Sequence, residues 1–541
     1  MDSLANRKSQ SWLSWFYRGL IILAVLVLAG RTVELQIIKG EYYRDLSDNN
    51  RIRKITIKAP RGKILARGGE ELVTNVEVKK EIIFKSDGGN EKVPTDKTDG
   101  DNIISEWERM YVLGSDFAHA GGYISQASED QVGKVDPACP QKGVLKLGSN
   151  IGRTGLELQY ECTLRGIDGE ELIEVDTRGR KVRTLGTHAP IAGQDITTSI
   201  DFNLQKKTAQ TFTTISDLPG VKLESDGKKG AVIVSDGKGE ILAIYSAPSF
   251  DPTNITEALN NPDLPLFDRA IGGAYHPGST FKLVTSVAGI EDGKIDKDYH
   301  YTDTGVVSVN GFDYKNWYFT QYGSTEGSVD IVRALTRSTD TFFYKVGEFV
   351  GAQSLADWSR VFGLGQKSGI DLPGEIAGLV PDPQWKKDYK GENWFLGNTY
   401  HMAIGQGDLT GTPLQMNMLT SVIANGGKLC SPHLANKTSE CKDLKIAKDT
   451  INTIKKGMEG ACAPGGTGYP FFEFSPKVAC KTGTAQTSET DITHAWFTTF
   501  APVDYPEIVV TVLVEKGGEG SSAAAPVAKE ILTDWFLHRN P

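Results

Sequence analysis

Hydrophobic positions are concentrated in one long stretch near the start of the chain. From about Trp12 to Gly30 the sequence is mostly apolar, and Arg18 is its only charged residue. A stretch of about 20 apolar residues is long enough to cross a bilayer as a helix. Arg7 and Lys8 precede it, and positive charge before a membrane helix predicts that the N-terminus stays on the cytoplasmic side. We therefore expect a single-pass cell-membrane protein whose later residues lie outside the cytoplasm.

A cleavable signal peptide is the alternative interpretation of this stretch. No A-x-A cleavage site is evident, and Arg31 follows Gly30 where a lipoprotein would have a cysteine. The apolar pattern also continues through Ile38. These features favour a retained anchor over residues 12–38, preceded by a cytoplasmic tail of residues 1–11.

Short strand-like runs follow the anchor, and we assign residues 39–195 to a separate α+β domain. The runs at residues 55–57 and 81–84 are rich in β-branched and aromatic side chains. Between the runs and the next domain, residues 85–101 are rich in Asp, Gly and Lys. Because this stretch has little to bury, it is predicted to be a mobile loop.

Residues 196–541 have the pattern of an α/β domain. Residues 231–244 predict a β-hairpin. Two further strand-like runs lie near the end of the chain, at residues 495–500 and 508–514, and a helical pattern follows at 526–536. Strands at both ends with helical segments between them predict one sheet that is assembled from both ends of the domain.

Composition supports this organisation and argues against one class of partner. The chain has 541 residues, which indicates two or three domains. Hydrophobic residues at 39% and charged residues at 23% are typical of globular proteins. The net charge of −9 argues against a nucleic-acid partner, because phosphate binding needs a basic surface.

Six cysteines are an even number in a chain that is expected to be exported. None has the C-x-x-C spacing of a metal site, and we predict no metal and no cofactor. Proximity in the sequence makes Cys430 with Cys441, and Cys462 with Cys480, candidate disulfides. Buried free thiols are the alternative, and the sequence leaves the choice open.

Ser279 begins the first motif with chemical potential, Ser-Thr-Phe-Lys. His276, Pro277 and Gly278 mark a turn before it and an apolar helical pattern follows, so Ser279 is expected at a helix N-terminus. Residues i and i+3 share a helix face, which predicts that Lys282 lies beside the serine hydroxyl. A lysine whose pKa is lowered can activate a serine as a nucleophile. A capped helix with an exposed lysine is the alternative for this motif alone.

Lys481 begins another motif, Lys-Thr-Gly-Thr, after a strand-like run. Small residues on an edge strand let a peptide approach the backbone closely. A backbone N–H of this strand, together with that of Ser279, could form an oxyanion hole. Lys481 and its threonines would hold a substrate carboxylate. A surface strand that ends in a polar turn is the alternative interpretation.

Ser338 begins the remaining motif, Ser-Thr-Asp, which precedes Lys481 in the chain and lies between two helical patterns. Its hydroxyl could pass a proton between Lys282 and a leaving amine. Its alternative role is a helix N-cap, and the two roles are compatible.

The three motifs occur in the order S-x-x-K, S-x-D, K-T-G, and together they resemble the penicillin-binding, serine D,D-peptidase superfamily. Segments outside the motifs resemble class B high-molecular-weight penicillin-binding proteins. These segments are residues 61–64, 152–161, 164–166, 403–407, 412–415 and 494–497.

This resemblance implies a fold and an activity. The fold is an α/β catalytic domain of the serine D,D-peptidase/β-lactamase type, with an antiparallel sheet, helices on both faces and an all-helical subdomain. An α+β pedestal and one transmembrane helix precede it. The implied activity is the cross-linking of peptidoglycan stem peptides through a serine acyl-enzyme that β-lactams also form. The implied catalytic residues are Ser279, Lys282, Ser338, Asp340, Lys481 and Thr484, and the implied substrate-binding residues are Thr482, Gly483 and Thr484.

Asp340 departs from the usual S-x-N form of the second motif. The aspartate form resembles the elongation-specific, penicillin-binding protein 2 type, which implies a role in cell shape. It also implies a glycosyltransferase partner of the shape-elongation-division-sporulation type. A septal transpeptidase is the alternative.

Some relatives of this type carry a zinc site with a cysteine just before the second motif. Here no cysteine lies between Cys162 and Cys430, so we expect no such site. Asp298, His300 and Asp303 are instead expected in a solvated loop.

Three other functions share part of this pattern. A β-lactamase or β-lactam sensor has the motifs but needs no long pedestal. A bifunctional class A enzyme needs a glycosyltransferase domain, for which the region after the anchor is too short. A catalytically silent scaffold would not need intact Ser279, Lys282 and Lys481.

Overall fold

The structure is a computed structural model that describes residues 5–539 apart from 85–89, 98–99, 101–102, 177–180, 225–226, 436–437, 488 and 490. The chain forms two compact units. The first comprises Met1–Pro60, Asn75–Glu108 and Gly166–Ala192, and the second comprises Arg61–Thr74, Arg109–Arg165 and Gly193–Pro541.

The helices, in chain order, are α1 (Ala5–Val33), α2 (Gly40–Arg51), α3 (Ala118–Gly121), α4 (Gly155–Gln159), α5 (Glu161–Leu164), α6 (Phe202–Thr213), α7 (Thr256–Leu259), α8 (Arg269–Gly272), α9 (Lys282–Glu291), α10 (Trp317–Tyr322), α11 (Ile331–Arg337), α12 (Asp340–Val350), α13 (Ala352–Val361), α14 (Pro383–Trp385), α15 (Leu396–Ala403), α16 (Pro413–Ala424), α17 (Lys448–Ala461) and α18 (Ala524–Arg539).

The strands are β1 (Ile52–Ile57), β2 (Ile64–Leu65), β3 (Glu71–Phe84), β4 (Asn90–Pro94), β5 (Ile103–Tyr111), β6 (Ile124–Gln126), β7 (Asn150–Gly152), β8 (Gly169–Val175), β9 (Lys181–His188), β10 (Ile196–Thr197), β11 (Gly230–Ser235), β12 (Ile241–Ala247), β13 (Tyr301–Asp303), β14 (Val306–Val309), β15 (Phe312–Lys315), β16 (Gly327–Val329), β17 (Lys428–Cys430), β18 (Cys441–Asp443), β19 (Ala479–Gln486), β20 (Thr493–Ala501) and β21 (Ile508–Val514).

The N-terminal helix has the length and composition that the sequence predicted. Helix α1 and the π-helical turn Glu34–Ile38 contain a span, Trp12–Ile38, that is long and apolar enough to cross a membrane. None of its apolar side chains is buried. An exposed apolar helix of this length is stable in a bilayer, where its backbone polar groups are satisfied internally.

The first unit contains the antiparallel sheet β1-β8-β9. Ile55 of β1 and Ile173 of β8 are buried together with Ile82 of β3, as the β-branched runs predicted. Strand β4 pairs with β3, so the predicted loop over residues 85–101 is wrong at this strand. Residues 85–89, 98–99 and 101 of that loop lie outside the described residues.

The second unit is built on an antiparallel sheet with the order β12-β11-β21-β20-β19. The predicted hairpin and the two late strands therefore form one sheet, as expected. Helices α6 and α18 pack on one face and α16 packs on the other. Because side chains alternate along a strand, Phe497 of β20 faces the α18 side, whereas Trp496 faces the helical segments that follow β12.

The helices between β12 and β19 complete the predicted fold class. Helix α9 packs against α12, α13 and α17, and α11 packs against α17. Their shared core includes Phe281, Phe342 and Met458, all fully buried. The same core includes Trp496 and Leu513 of the sheet, so α9 packs beside the sheet.

A buried ion-pair network joins two of the segments that carry the family resemblance. Arg61 Nε lies 2.6 Å from a carboxylate oxygen of Glu157, and Arg61 also pairs with Glu161. The other oxygen of Glu157 lies 2.6 Å from Arg109 Nε. All four side chains are at least nine-tenths buried, so each charge depends on its partners.

All six cysteines are paired. The predicted pairs Cys430–Cys441 and Cys462–Cys480 are both present. A third disulfide, Cys139–Cys162, was not foreseen, and the free-thiol alternative is wrong.

Candidate active site

Ser279 lies in a one-turn 3-10 helix, Gly278–Phe281, that leads directly into α9. The serine is therefore in the first turn of the helical segment, as predicted, although the α-helix itself begins at Lys282. Ser279 is partly exposed, and its Oγ makes no hydrogen bond within the described part of the chain. The hydroxyl is thus open to a substrate.

Two glycines, one in this turn and one in the edge strand β19, allow the turn and the strand to pack closely together. Gly278 has φ +54°, and a Cβ at this position would lie 2.9 Å from the carbonyl oxygen of Thr484. A Cβ on Gly483 would lie 3.1 Å from the side chain of Thr280 and 2.9 Å from Trp496. Glycine is required at both positions because the two backbones approach so closely.

Lys282 is fully buried and points toward the second motif. Its Nζ donates to the carbonyl oxygen of Ser338 (2.8 Å), to Ser338 Oγ (3.1 Å) and to Asp340 Oδ1 (2.6 Å). The alternative of an exposed lysine is therefore wrong. Burial lowers the pKa of Lys282 below its ordinary value, and the Asp340 carboxylate opposes that shift.

Lys481 is also fully buried and lies on the other side of Ser338. Its Nζ donates to Ser338 Oγ (2.9 Å) and to the carbonyl oxygen of Thr482 (2.9 Å). Burial, together with the positive charge of Lys282, holds the pKa of Lys481 well below its ordinary value. Ser338 Oγ accepts from both lysines, so its own hydrogen is available to a third group.

Ser338 does not cap the following helix. It ends α11 with a left-handed backbone conformation, φ 57° and ψ 39°, and Thr339 occupies the N-cap position of α12. The predicted N-cap role is therefore wrong, whereas the position of Ser338 between two helices is as expected.

Strand β19 carries the third motif on the edge of the sheet. Thr484 is exposed, and Gln406 Nε2 donates to its carbonyl oxygen at 3.4 Å. The Thr482 hydroxyl is 2.8 Å from that of Thr467. Sequence reasoning assigned no role to Gln406 or Thr467, although Gln406 lies within the segment 403–407 that carries the family resemblance.

Asp303 is not in a solvated loop, and that prediction is wrong. Only 2% of its surface is exposed, and its carboxylate accepts from Asn316 Nδ2 (2.9 Å) and Thr341 Oγ1 (2.7 Å). His300 is exposed, as expected. The Gly305 backbone N–H is a local partner of Asp303, but Asn316, Thr341 and the backbone N–H of Glu326 come from distant parts of the chain, and no local pattern marks those contacts.

Among the residues that the structure describes, no group of three or more His, Cys, Asp or Glu side chains could hold a metal ion.

Comparison with known proteins identifies the family. Residues 229–533, more than half of the chain, match the penicillin binding protein transpeptidase domain. The chain belongs to the penicillin-binding protein transpeptidase family. Residues 89–198 match a second domain of this family, described as the penicillin-binding protein dimerisation domain. Both the resemblance and the fold class that it implied are confirmed.

Relatives place the chain near one branch of the family. The peptidoglycan D,D-transpeptidase MrdA of Acinetobacter baumannii is 31% identical, over 97% of this chain and 87% of the relative. Penicillin-binding protein 2 of Helicobacter pylori, solved in complex with MreC, is 26% identical with a TM-score of 0.75, over 90% of this chain and 99% of that one. A chain of a peptidoglycan synthase complex, described for its coordination of polymerization and crosslinking, is 26% identical with a TM-score of 0.74, over 98% of each chain. The predicted resemblance to the penicillin-binding protein 2 type is confirmed.

Proposed function

We propose that this chain is a peptidoglycan D,D-transpeptidase that cross-links stem peptides during cell elongation. The observation that carries the proposal is the convergence of the three motifs. Ser338 Oγ accepts from both Lys282 and Lys481, and the turn that carries Ser279 packs against the strand that carries Lys481. The similarity to MrdA over almost the whole chain supports the elongation branch, and nothing observed favours a septal role.

In the first step, Ser279 Oγ attacks the penultimate D-Ala carbonyl of a stem peptide that ends in D-Ala-D-Ala. Lys282 takes the serine proton when its amine is uncharged, a form that burial favours and the Asp340 carboxylate opposes. The backbone N–H groups of Ser279 and Thr484 stabilise the oxyanion. Gly278 and Gly483 support this assignment, because they allow the turn and the strand to approach closely.

In the second half of this step the C–N bond to the terminal D-Ala breaks. The Ser338 hydroxyl donates its proton to the departing amine and recovers one from Lys282, which returns to the neutral form. Thr482, Gly483 and Thr484 line the position of the terminal carboxylate, with Lys481 Nζ behind them. Asp340 keeps the Lys282 amine directed at Ser338.

In the final step, a side-chain amine of a neighbouring stem peptide attacks the acyl-enzyme. Its proton passes through Lys282 to Ser279 as the ester breaks, and the new amide is the cross-link. A β-lactam mimics D-Ala-D-Ala and acylates Ser279 in the same way, but its leaving group stays attached.

We assign residues 1–11 to a cytoplasmic tail, 12–38 to the membrane anchor, 39–195 to the pedestal and 196–541 to the transpeptidase domain. The positive residues before the anchor support an extracytoplasmic catalytic domain. A glycosyltransferase of the shape-elongation-division-sporulation type is the proposed partner. The similarity to a chain from a complex that coordinates polymerization with crosslinking supports this pairing.

Labelling with a fluorescent penicillin tests the nucleophile and the class together. The detergent-solubilised full chain should form a long-lived adduct, and Ser279→Ala should form none. Ser324→Ala, which changes an exposed serine, is the matched control and should label as the wild type does. Rapid loss of the adduct would indicate a β-lactamase instead, and absence of labelling in the wild type would indicate a silent scaffold.

A cell-based test separates elongation from division. The wild-type gene should restore rod shape to cells depleted of their elongation-specific transpeptidase, whereas Ser279→Ala should not. Rescue of septation rather than of shape would support the septal alternative.

A further inference from the structure

Ser338 adopts a backbone conformation that residues other than glycine, asparagine and aspartate rarely use. Its φ is 57° and its ψ is 39°. This conformation directs both its carbonyl oxygen and its hydroxyl oxygen at Lys282. Strained conformations persist at functional sites only where surrounding groups fix them, so the groups that flank Ser338 matter for its role.

On the N-terminal side of Ser338, a tryptophan holds the backbone. Trp317 Nε1 donates to the carbonyl oxygen of Arg337 at 2.9 Å. The Arg337 guanidinium lies over the Trp317 ring, 5.6 Å from its centre. The residue before Ser338 is thereby held through both its backbone and its side chain.

On the C-terminal side, the same tryptophan and its neighbour hold Asp340. The backbone N–H of Trp317 donates to Asp340 Oδ2 at 2.9 Å. The backbone N–H of Asp340 donates to Asn316 Oδ1 at 3.1 Å. Two consecutive residues, at the N-cap and first position of α10, therefore contact the chain on both sides of Ser338.

Asn316 is itself held in place by buried partners. Its side chain is fully buried, its Nδ2 donates to Asp303 Oδ2 at 2.9 Å and its backbone N–H donates to the carbonyl oxygen of Gly305 at 2.8 Å. Asp303 in turn accepts from Thr341 Oγ1, one residue beyond Asp340. A buried, hydrogen-bonded network of this kind has little freedom to move.

We infer that Asn316 and Trp317 are positioning residues for acylation, which hold Ser338 and Asp340 in the geometry that Lys282 needs. Each acts through its hydrogen bonds to the residues that flank Ser338. Asp303 anchors Asn316 and so supports the same geometry. This inference rests on the proposed function and adds residues that lie outside the three motifs.

The test separates binding from chemistry in the full-length chain. Time courses of acylation by a fluorescent penicillin, over a range of concentrations, give the dissociation constant of the non-covalent complex and the rate constant of acylation. Trp317→Phe keeps an aromatic ring but removes the Nε1–H donor. Tyr318→Phe removes one polar atom from the next residue of the same helix and is the matched control.

Trp317→Phe should lower the acylation rate constant about tenfold, as expected for one lost hydrogen bond at a partly buried site, and leave the dissociation constant within about twofold. Asn316→Ala should lower the rate constant further, on the order of 10- to 100-fold. Tyr318→Phe should match the wild type within about twofold. Thermal unfolding of each variant shows whether it is folded.

An unchanged acylation rate constant in Trp317→Phe would overturn the inference. A loss confined to the dissociation constant or to thermal stability would do the same, because it indicates a purely structural role. Should Asn316→Ala fail to fold, Trp317→Phe alone decides. A different result would contradict the proposed function itself: no acylation of the wild type at all.

Discussion

Lys282 Nζ lies 2.6 Å from Asp340 Oδ1, and both side chains are buried next to Lys481. The usual asparagine of the second motif would offer Lys282 a neutral amide at this position. The carboxylate favours the charged form of Lys282 and so opposes the effect of burial on its pKa. The pKa of Lys282, the general base of the proposed mechanism, therefore depends on two opposing influences: burial lowers it and the Asp340 carboxylate raises it.

Asp340→Asn should move the pH dependence of acylation. Lys282 acts as a base when neutral, so the acylation rate rises with pH through the pKa of Lys282. Removing the carboxylate removes the influence that raises this pKa, so the rise should occur at lower pH than in the wild type. The measurement is the second-order rate constant for a fluorescent penicillin as a function of pH. Asp313→Asn, on an exposed strand, should leave the profile in place, and a shift to higher pH in Asp340→Asn would contradict the assignment of Lys282.

Gly483→Ala should impair acylation by separating β19 from the turn that carries Ser279. The added methyl group would lie 2.9 Å from Trp496 Cβ and 3.1 Å from the Thr280 side chain. Overpacking of this kind costs about 1–3 kcal/mol, and here the strand has to move away from the serine. Penicillin acylation rates measure the effect. Gly186→Ala, where a Cβ would meet nothing within 4 Å, should acylate normally; equal rates in the two variants would count against the close approach.

The disulfide Cys462–Cys480 should matter for the active site, whereas Cys430–Cys441 should not. Cys480 immediately precedes Lys481, and its disulfide ties β19 to the end of α17. Replacing both Cys462 and Cys480 by serine should lower the free energy of unfolding by about 3 kcal/mol and slow acylation.

The matched control replaces Cys430 and Cys441, which join the short strands β17 and β18. This variant should acylate at the wild-type rate. Thermal unfolding and penicillin labelling of both double variants make the comparison. Normal acylation without Cys462–Cys480 would show that the sheet and helix α17 hold Lys481 without the disulfide.

Arg61→Ala should destabilise the second unit strongly. It leaves the buried carboxylates of Glu157 and Glu161 without their shared partner, and breaking a buried ion pair costs about 3–5 kcal/mol. Lys445→Ala removes an exposed pair with Asp443 and should cost less than about 1 kcal/mol. Denaturant unfolding of the two variants is the measurement, and similar midpoints would mean that the buried network contributes little.

Local pattern was sufficient for most of the fold. The apolar run before Gly30, the hairpin at 231–244 and the late strands at 495–500 and 508–514 all have the predicted secondary structure. Each of these elements has an apolar surface on one face or on all sides, which produces a periodic or continuous apolar pattern in the sequence. The loop predicted over residues 85–101 is wrong at β4, because an edge strand needs few apolar residues and so leaves little apolar pattern in the sequence.

The residues of the candidate site were also predictable only where a local pattern marks them. The sequence by itself determined the three motifs and their order, because Ser279, Lys282, Ser338 and Lys481 are fixed by residue type and short spacing. Only the tertiary structure decided that Ser338 lies between the two lysines and that Asn316 joins Asp303 to the backbone of Asp340 by hydrogen bonds. Those contacts join residues that are far apart in the sequence, and a hydrogen bond across such a distance depends on the packing of whole helices and strands, which no local pattern records.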